Sequence, residues 1–235
     1  AELTTGCGYP GIDTPADIPA AAAYLPHVSE GIEASAANEF RCISAATGGG
    51  QNLLGPRTAI IHGIGVKAAD VGLMAQSKTS LIWSPRSNIS LYGDTTSIPL
   101  YTRMGVTVAL GMDWVISGSM NMLRELKCAA GMNEQHYNRA LSDEQLWKMA
   151  TSAAADVTQV GEKVGRIQVG KIADLALYRQ KGTKTHRSII DADPQDVVMT
   201  MRGGKVLYGD LPIVNAFDAA NMCDSLDVCG TMKGV

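Results

Sequence analysis

Residues 80–126 read SLIWSPRSNISLYGDTTSIPLYTRMGVTVALGMDWVISGSMNMLREL, and the fold follows from them. Two units of the same kind stand in succession. Leu81-Ile82-Trp83 is a short apolar run that stops at the polar turn Ser84-Pro85-Arg86-Ser87-Asn88. Val106-Thr107-Val108-Ala109-Leu110 is a second, stopping at Gly111-Met112-Asp113-Trp114. A short apolar strand that ends in a polar turn and is followed by helical spacing is the βα unit of a parallel sheet. In such sheets the ligand site lies at the carboxyl ends of the strands. Asp113, an acidic group just beyond five apolar positions, is therefore the first candidate for chemistry.

Working outward, the same unit recurs. Residues 24–31 (YLPHVSEG) form a short strand ending in polar groups, and 33–44 carry helical spacing through Ala36, Ala37, Phe40 and Ile43. Residues 58–63 (TAIIHG) are a buried strand ending in a histidine, followed by a helix over 67–76. A helix over 97–104 separates the two strands of the opening stretch, and another spans 119–130. Upstream, residues 1–17 are irregular and 18–23 suit a short helix with Pro19 in its first turn. Downstream, 133–140 form a loop, and Ser142-Asp143-Glu144-Gln145 is a capping box that opens a further helix. From Gly165 the pattern alternates: 172–178 is a strand, and 197–201 and 205–208 flank Arg202-Gly203-Gly204 as a hairpin. The boundary falls near Val160, giving a βα domain over 1–160 and a β element over 161–235.

Composition narrows the function classes. The 235 residues are 46% hydrophobic and 18% charged, which describes a globular chain with a sizeable core. A net charge of −3 with scattered basic residues gives no footprint for nucleic acid or an anionic membrane, and no apolar run is long enough to span a bilayer. Five cysteines are too few for a disulfide scaffold. Cys7, Cys42 and Cys128 stand isolated as ordinary thiols, while Cys223 and Cys229 are close enough in sequence for a bridge to be an open question. Cysteine usage slightly favours the cytoplasm.

His27, Glu30, His62 and Asp113 share one property: each sits at the end of an expected parallel strand. Strand ends of a closed βα barrel converge on one mouth, so groups distant in sequence become neighbours. Each alone has an ordinary structural explanation, a satisfied core histidine or a helix-capping aspartate. Four together favour a site. Trp83, Trp114 and Tyr92 offer rings for a planar ligand, and Arg86-Ser87-Asn88 shapes the adjoining loop. Gly48-Gly49-Gly50 lacks the lysine of a phosphate loop, and Gly63-Ile64-Gly65 lacks the third glycine of a dinucleotide fingerprint.

In order, PHVSEG, IIHGIGV, WSPRSNISLYG, VALGMDW and SGSMNMLREL resemble the second half of the amidohydrolase superfamily, nearest its cytosine deaminase and triazine hydrolase branch. ATSAAADV, GRIQVGKIADLALY and MRGGKVLYGD are similar to that branch's return into its small β domain. The resemblance implies strands 5–8 of a (β/α)₈ barrel followed by part of a β-sandwich. It implies one divalent metal, zinc or alternatively iron, with His27 and Asp113 as ligands. Glu30 would shuttle a proton to a ring nitrogen, His62 would hydrogen-bond the attacked group and the nucleophile, and Asp113 would take the proton of the attacking water. Trp83, Asn88 and Trp114 are the expected substrate contacts. The implied reaction is hydrolysis of a C–N bond on a nitrogen heterocycle.

The resemblance is also incomplete. The family opens with a His-x-His pair, and none of this chain's four histidines, His27, His62, His136 and His186, forms one. A complete barrel takes about 250 residues. With two protein ligands where a catalytic metal site takes three or more, the expectation is a carboxyl-terminal portion that alone binds metal poorly and is inactive, partnered by a missing half-barrel. The alternative is a non-catalytic half-barrel subunit or degenerate homologue that associates through its strand edges, as a homo-oligomer for instance.

Overall fold

The computed structural model describes residues 2–18, 23–182, 186–217 and 223–235; the short helix expected over 18–23 lies largely outside them. Among the described residues the chain alternates β1 (His27–Val28), α1 (Ala34–Ser44), β2 (Ala59–His62), α2 (Ala68–Ser77), β3 (Ser80–Trp83), α3 (Pro85–Tyr92), α4 (Ile98–Arg103), β4 (Val108–Leu110) and α5 (Met122–Gln135). The helices α6 (Asp143–Met149) and α7 (Ser152–Val157) follow. Then come β5 (Leu175–Tyr178), α8 (Arg187–Ile190), β6 (Val197–Arg202), β7 (Lys205–Asp210), α9 (Leu211–Phe217), β8 (Ser225–Val228) and β9 (Thr231–Gly234).

Strands β1 to β4 pair in sequence order, all parallel, with His27 opposite Ile61, Ala59 opposite Ser80 and Leu81 opposite Val108. Their residues are apolar on both faces because helices cover the sheet: Ile60, Leu81, Trp83, Phe40, Met74, Leu126 and Leu146 form one buried cluster. Each such side chain contributes about 1.5–3 kcal/mol by leaving water. On α1 the buried positions Ala36, Phe40 and Ile43 are spaced four and three apart, the apolar stripe of an amphipathic helix. Strands β5, β6, β7, β9 and β8, in that order, make a separate antiparallel sheet with α9 packed on it through Val214. No helix among the described residues is long and apolar enough to cross a membrane.

Several local expectations hold. Ser142 caps α6 by accepting from the Gln145 amide while Gln145 reaches back to the Ser142 amide. Residues 203 and 204 take positive φ in the hairpin between β6 and β7, as a tight turn requires. Three expectations are corrected. Residues 84–88 are not a polar turn but the start of α3: Pro85 at the first helical position has its φ preset, and the helix runs to a left-handed Gly93. Helix α5 starts at Met122, where the Asn121 side chain accepts from the Arg124 amide, and continues through Gln135 into the expected loop. Finally, Cys7 and Cys42 form a disulfide that staples the irregular N-terminal stretch to α1, whereas Cys229 carries a free thiol, so the Cys223–Cys229 bridge does not form. Thirty-five residues separate the bridged pair, a proximity invisible to spacing rules.

Candidate metal centre

All four parallel strands end on one side, and the backbone there is built to turn side chains inward. At the tip of β1, Ser29 has φ +56 and its amide donates to Glu39 Oε2 at 2.8 Å, tying the strand end to α1. Burial raises the Glu39 carboxyl above its usual range while that amide bond opposes the shift. His62 closes β2 with φ +70 and Asp113 follows β4 with φ +56. Non-glycine residues held in the left-handed region cost about 1–3 kcal/mol each and gather at functional sites. The Asp113 loop folds back on itself: Ser119 donates to the Met112 carbonyl, and a Cβ on Gly118 would lie 2.0 Å from that oxygen. Only glycine permits so close an approach.

The structure brings together His27, Glu30, His62 and Asp113. His62 Nε2 lies 3.4 Å from Glu30 Oε1 and 3.9 Å from Asp113 Oδ2. The rings of His27 and His62 have centroids 5.2 Å apart at a 43° tilt. One nitrogen of each histidine and one oxygen of Asp113 all lie within 4.8 Å of one another. Ligand atoms around a tetrahedral ion with bonds of 2.0–2.1 Å stand about 3.3 Å apart, so small side-chain movements close the set. His62 Nε2 is buried and makes no hydrogen bond, despite its nearness to Glu30. Such an orphaned atom costs about 1–3 kcal/mol, which a cation bound there would offset. Two imidazoles and a carboxylate form a donor set that suits zinc or iron. The residues fit a divalent metal.

Around this group the neighbours are specific. His62 Nδ1 is 2.9 Å from Asn88 Oδ1, and the His62 carbonyl accepts from Thr96 Oγ1 at 2.6 Å. Tyr92 donates its hydroxyl to Glu30 Oε1 at 3.1 Å; burial and the Glu30 charge push the phenol up to about 12, so it stays a donor at neutral pH. Beneath the Asp113 loop, Glu125 is fully buried, accepts from the Arg86 amide at 3.1 Å and has its carboxyl raised by burial. Arg86 Nε donates to Ser119 Oγ at 2.9 Å, bracing the loop from α3.

Of the expected substrate contacts, Trp114 is 63% exposed beside Asp113. Trp83 is a correction: it has no exposed surface, sits in the core, and donates its indole N–H to Thr95 Oγ1 at 2.8 Å. Asn88 is likewise fully buried, with its carboxamide committed to His62 and Thr95. Its place is behind the histidine rather than against a ligand. His136 ends α5 and His186 lies against the Trp147 ring, so neither belongs to the cluster. Thr95, Thr96 and Glu125 were not foreseen, and Tyr92, expected as a ring for a planar ligand, was not foreseen as a hydrogen-bond donor to Glu30. The detectable signal was Asn88 and Tyr92 four residues apart, which share a helix face once 85–92 is read as helix.

The chain is similar to known proteins in sequence and in fold. The 5-methylthioadenosine/S-adenosylhomocysteine deaminase of Pyrococcus furiosus is 29% identical over 157 residues, covering 66% of this chain and 36% of that protein. The protein of the same name from Teredinibacter turnerae is 33% identical over 126 residues, covering 52% and 28%. Among solved structures, a zinc-bound adenosine deaminase from Xanthomonas campestris superposes with a TM-score of 0.67 at 24% identity, over 78% of this chain and 45% of that one. An atrazine chlorohydrolase from Arthrobacter aurescens complexed with zinc gives 0.68 at 19%, over 83% and 47%. The last two show a shared fold. The chain spans less than half the length of each of these relatives. A family model for the amidohydrolases matches residues 27–207, from the first strand-end histidine into the antiparallel sheet, and the chain belongs to the amidohydrolase family.

Proposed function

We propose that the chain supplies the strand-end half of a metal-dependent hydrolase that cleaves a C–N bond on a nitrogen heterocycle. The observation that carries this is the buried, unbonded Nε2 of His62, flanked by His27, Asp113 and Glu30. Relatives named as adenosine-type deaminases support the reaction class. His27 and Asp113 would hold the ion, zinc in preference to iron. The chemistry such an ion supplies is a water whose pKa falls toward neutrality.

The chain's own groups do the rest. Asp113 takes the proton of the attacking water. Glu30, held through Oε1 by Tyr92, gives one proton to the ring nitrogen and regains one from the hydroxyl of the tetrahedral adduct, while the proton taken by Asp113 goes to the departing amine as the C–N bond breaks. His62 directs Nε2 at the same point, as a third ligand or as acceptor of the water's hydrogen bond, and both roles require a lone pair there. Trp114, exposed beside Asp113, offers its ring to a planar substrate.

Residues 1–160 are read as half of a (β/α)₈ barrel and 161–235 as part of a β-sandwich. The parallel sheet ends at β1 and β4, each paired on one side among the described residues, and a further set of strands there would close the barrel and add ligands. Those same open edges favour the second reading, a half-barrel that associates with another subunit.

Ammonia release from adenosine and 5′-methylthioadenosine tests the enzyme. The isolated chain releases none, and a polypeptide restoring a closed barrel with a His-x-His pair releases it in a zinc-dependent way that Asp113→Asn abolishes. Activity indifferent to Asp113→Asn contradicts the reading.

A further inference from the structure

We infer that Trp83, Thr95 and Asn88 are positioning residues that fix the tautomer of His62, holding its proton on Nδ1 and leaving a lone pair on Nε2. The series starts in the core. The indole Nε1–H of Trp83 can only donate, and it does so to Thr95 Oγ1 at 2.8 Å. Asn88 Nδ2 donates to the same oxygen at 3.1 Å, occupying its second lone pair. With its NH₂ turned to Thr95, Asn88 presents Oδ1 to His62 Nδ1 at 2.9 Å. An amide oxygen can only accept, so Nδ1 carries the hydrogen. Nε2 of the neutral ring is then unprotonated, facing Asp113 and Glu30.

The opposite arrangement is chemically distinct. Were the Asn88 amide reversed, its NH₂ would face Nδ1, the ring hydrogen would move to Nε2, and His62 would become a donor to the attacked group. The tautomer therefore decides whether His62 serves as ligand or acceptor, or as a donor. That consequence rests on the metal-centre reading, whereas the tautomer itself does not. It also gives a role to the buried Trp83: a core indole that orders a site group through two side chains. Outer partners of this kind set the tautomer and orientation of a ligating histidine.

The test is ¹⁵N–¹H correlation spectroscopy of the metal-free, ¹⁵N-histidine-labelled 235-residue chain at alkaline pH, with His62 assigned from His62→Gln. The expected pattern is a protonated, pyrrole-type Nδ1 and an unprotonated, pyridine-type Nε2. Thr95→Val, which cannot accept from either donor, shifts His62 toward the Nε2–H form, and Thr95→Ser restores the wild-type pattern. If Thr95→Val fails to fold, Asn88→Ala reports the same loss. Cobalt titration of the same proteins gives a second readout: Thr95→Val weakens binding about 10- to 100-fold and Thr95→Ser does not. An Nε2–H pattern in the wild type, or a Thr95→Val spectrum identical to wild type, overturns the inference. A wild-type Nδ1–H pattern that Thr95→Val alters, with no cobalt bound by any variant, leaves the inference standing and removes the metal-centre reading instead.

Discussion

Breaking the Cys7–Cys42 bridge should destabilise the chain by an amount that its sequence separation sets. The cysteines are 35 residues apart. A cross-link over that span removes about 13 cal/mol/K of chain entropy from the unfolded state, or about 3.8 kcal/mol at 25 °C. Little else would replace the restraint: the N-terminal stretch is otherwise held to α1 by Asn38 Nδ2 on the Gly6 carbonyl and the Tyr9 hydroxyl, and by Arg41 on the Thr4 carbonyl. Urea unfolding with and without dithiothreitol measures it. With an m-value of about 2–3 kcal/mol/M, the midpoint falls by about 1.3–1.9 M on reduction, and Cys7→Ser gives the same midpoint with or without reductant. The helix concerned also carries Glu39, which clamps Ser29 beside Glu30, so local opening of α1 would loosen the strand-end geometry as well. Coincident wild-type curves in the two conditions, with peptide mapping showing the bridge present when oxidised, would refute the entropic reasoning. A free Cys7 in the oxidised protein would refute the pairing itself.

Other perturbations follow from single contacts. Burial raises the Glu125 carboxyl, and a raised folded-state value means stability is full below the unfolded pKa of about 4.3 and declines as pH climbs through the folded value. Glu125→Gln, which still accepts from Arg86, should therefore gain in Tm relative to wild type as pH rises from 4 to 8; a pH-independent difference contradicts this. Phe40→Ala empties a position with no exposed surface and should cost about 3–5 kcal/mol by urea unfolding, and a loss under 1 kcal/mol would mean the core collapses freely there. Asn121→Ala removes the cap of α5 and should cost about 1 kcal/mol. Trp114→Ala, at an exposed position, should stay within about 0.5 kcal/mol of wild type, so a larger loss would place the ring in the core.

The parallel sheet was legible because its signal is local. Runs such as Ala59-Ile60-Ile61 and Val108-Ala109-Leu110 are apolar on both faces, and four of them separated by helical spacing define a βα array. The clustering of His27, Glu30, His62 and Asp113 was legible because they close those runs. What the sequence hid was contact between segments. The role of Asn88 depends on α3 being a helix, and the Ser-Pro start that resembles a turn is also a good helix start. Trp83 was misjudged because an aromatic at a strand end looks the same from sequence whether it points to the mouth or into the core; only packing against Tyr137 and the bond to Thr95 reveal which. Cys7 and Cys42 meet through an irregular segment with no periodicity to read. Strands β8 and β9 lie in a polar stretch (SLDVCGTMKG) whose alternation is too weak to separate from loop.

On this reading, side chains from three strand ends, His27, His62 and Asp113, converge on one cation. Anomalous diffraction from zinc-soaked crystals of the chain tests it most directly. The prediction is a single strong peak about 2.0–2.2 Å from one nitrogen of His27 and an oxygen of Asp113, with His62 Nε2 directed at the ion or at its bound water. That peak should vanish in Asp113→Ala. Density at His136 or His186 with none at the strand ends, or a peak that survives Asp113→Ala unchanged, would contradict it.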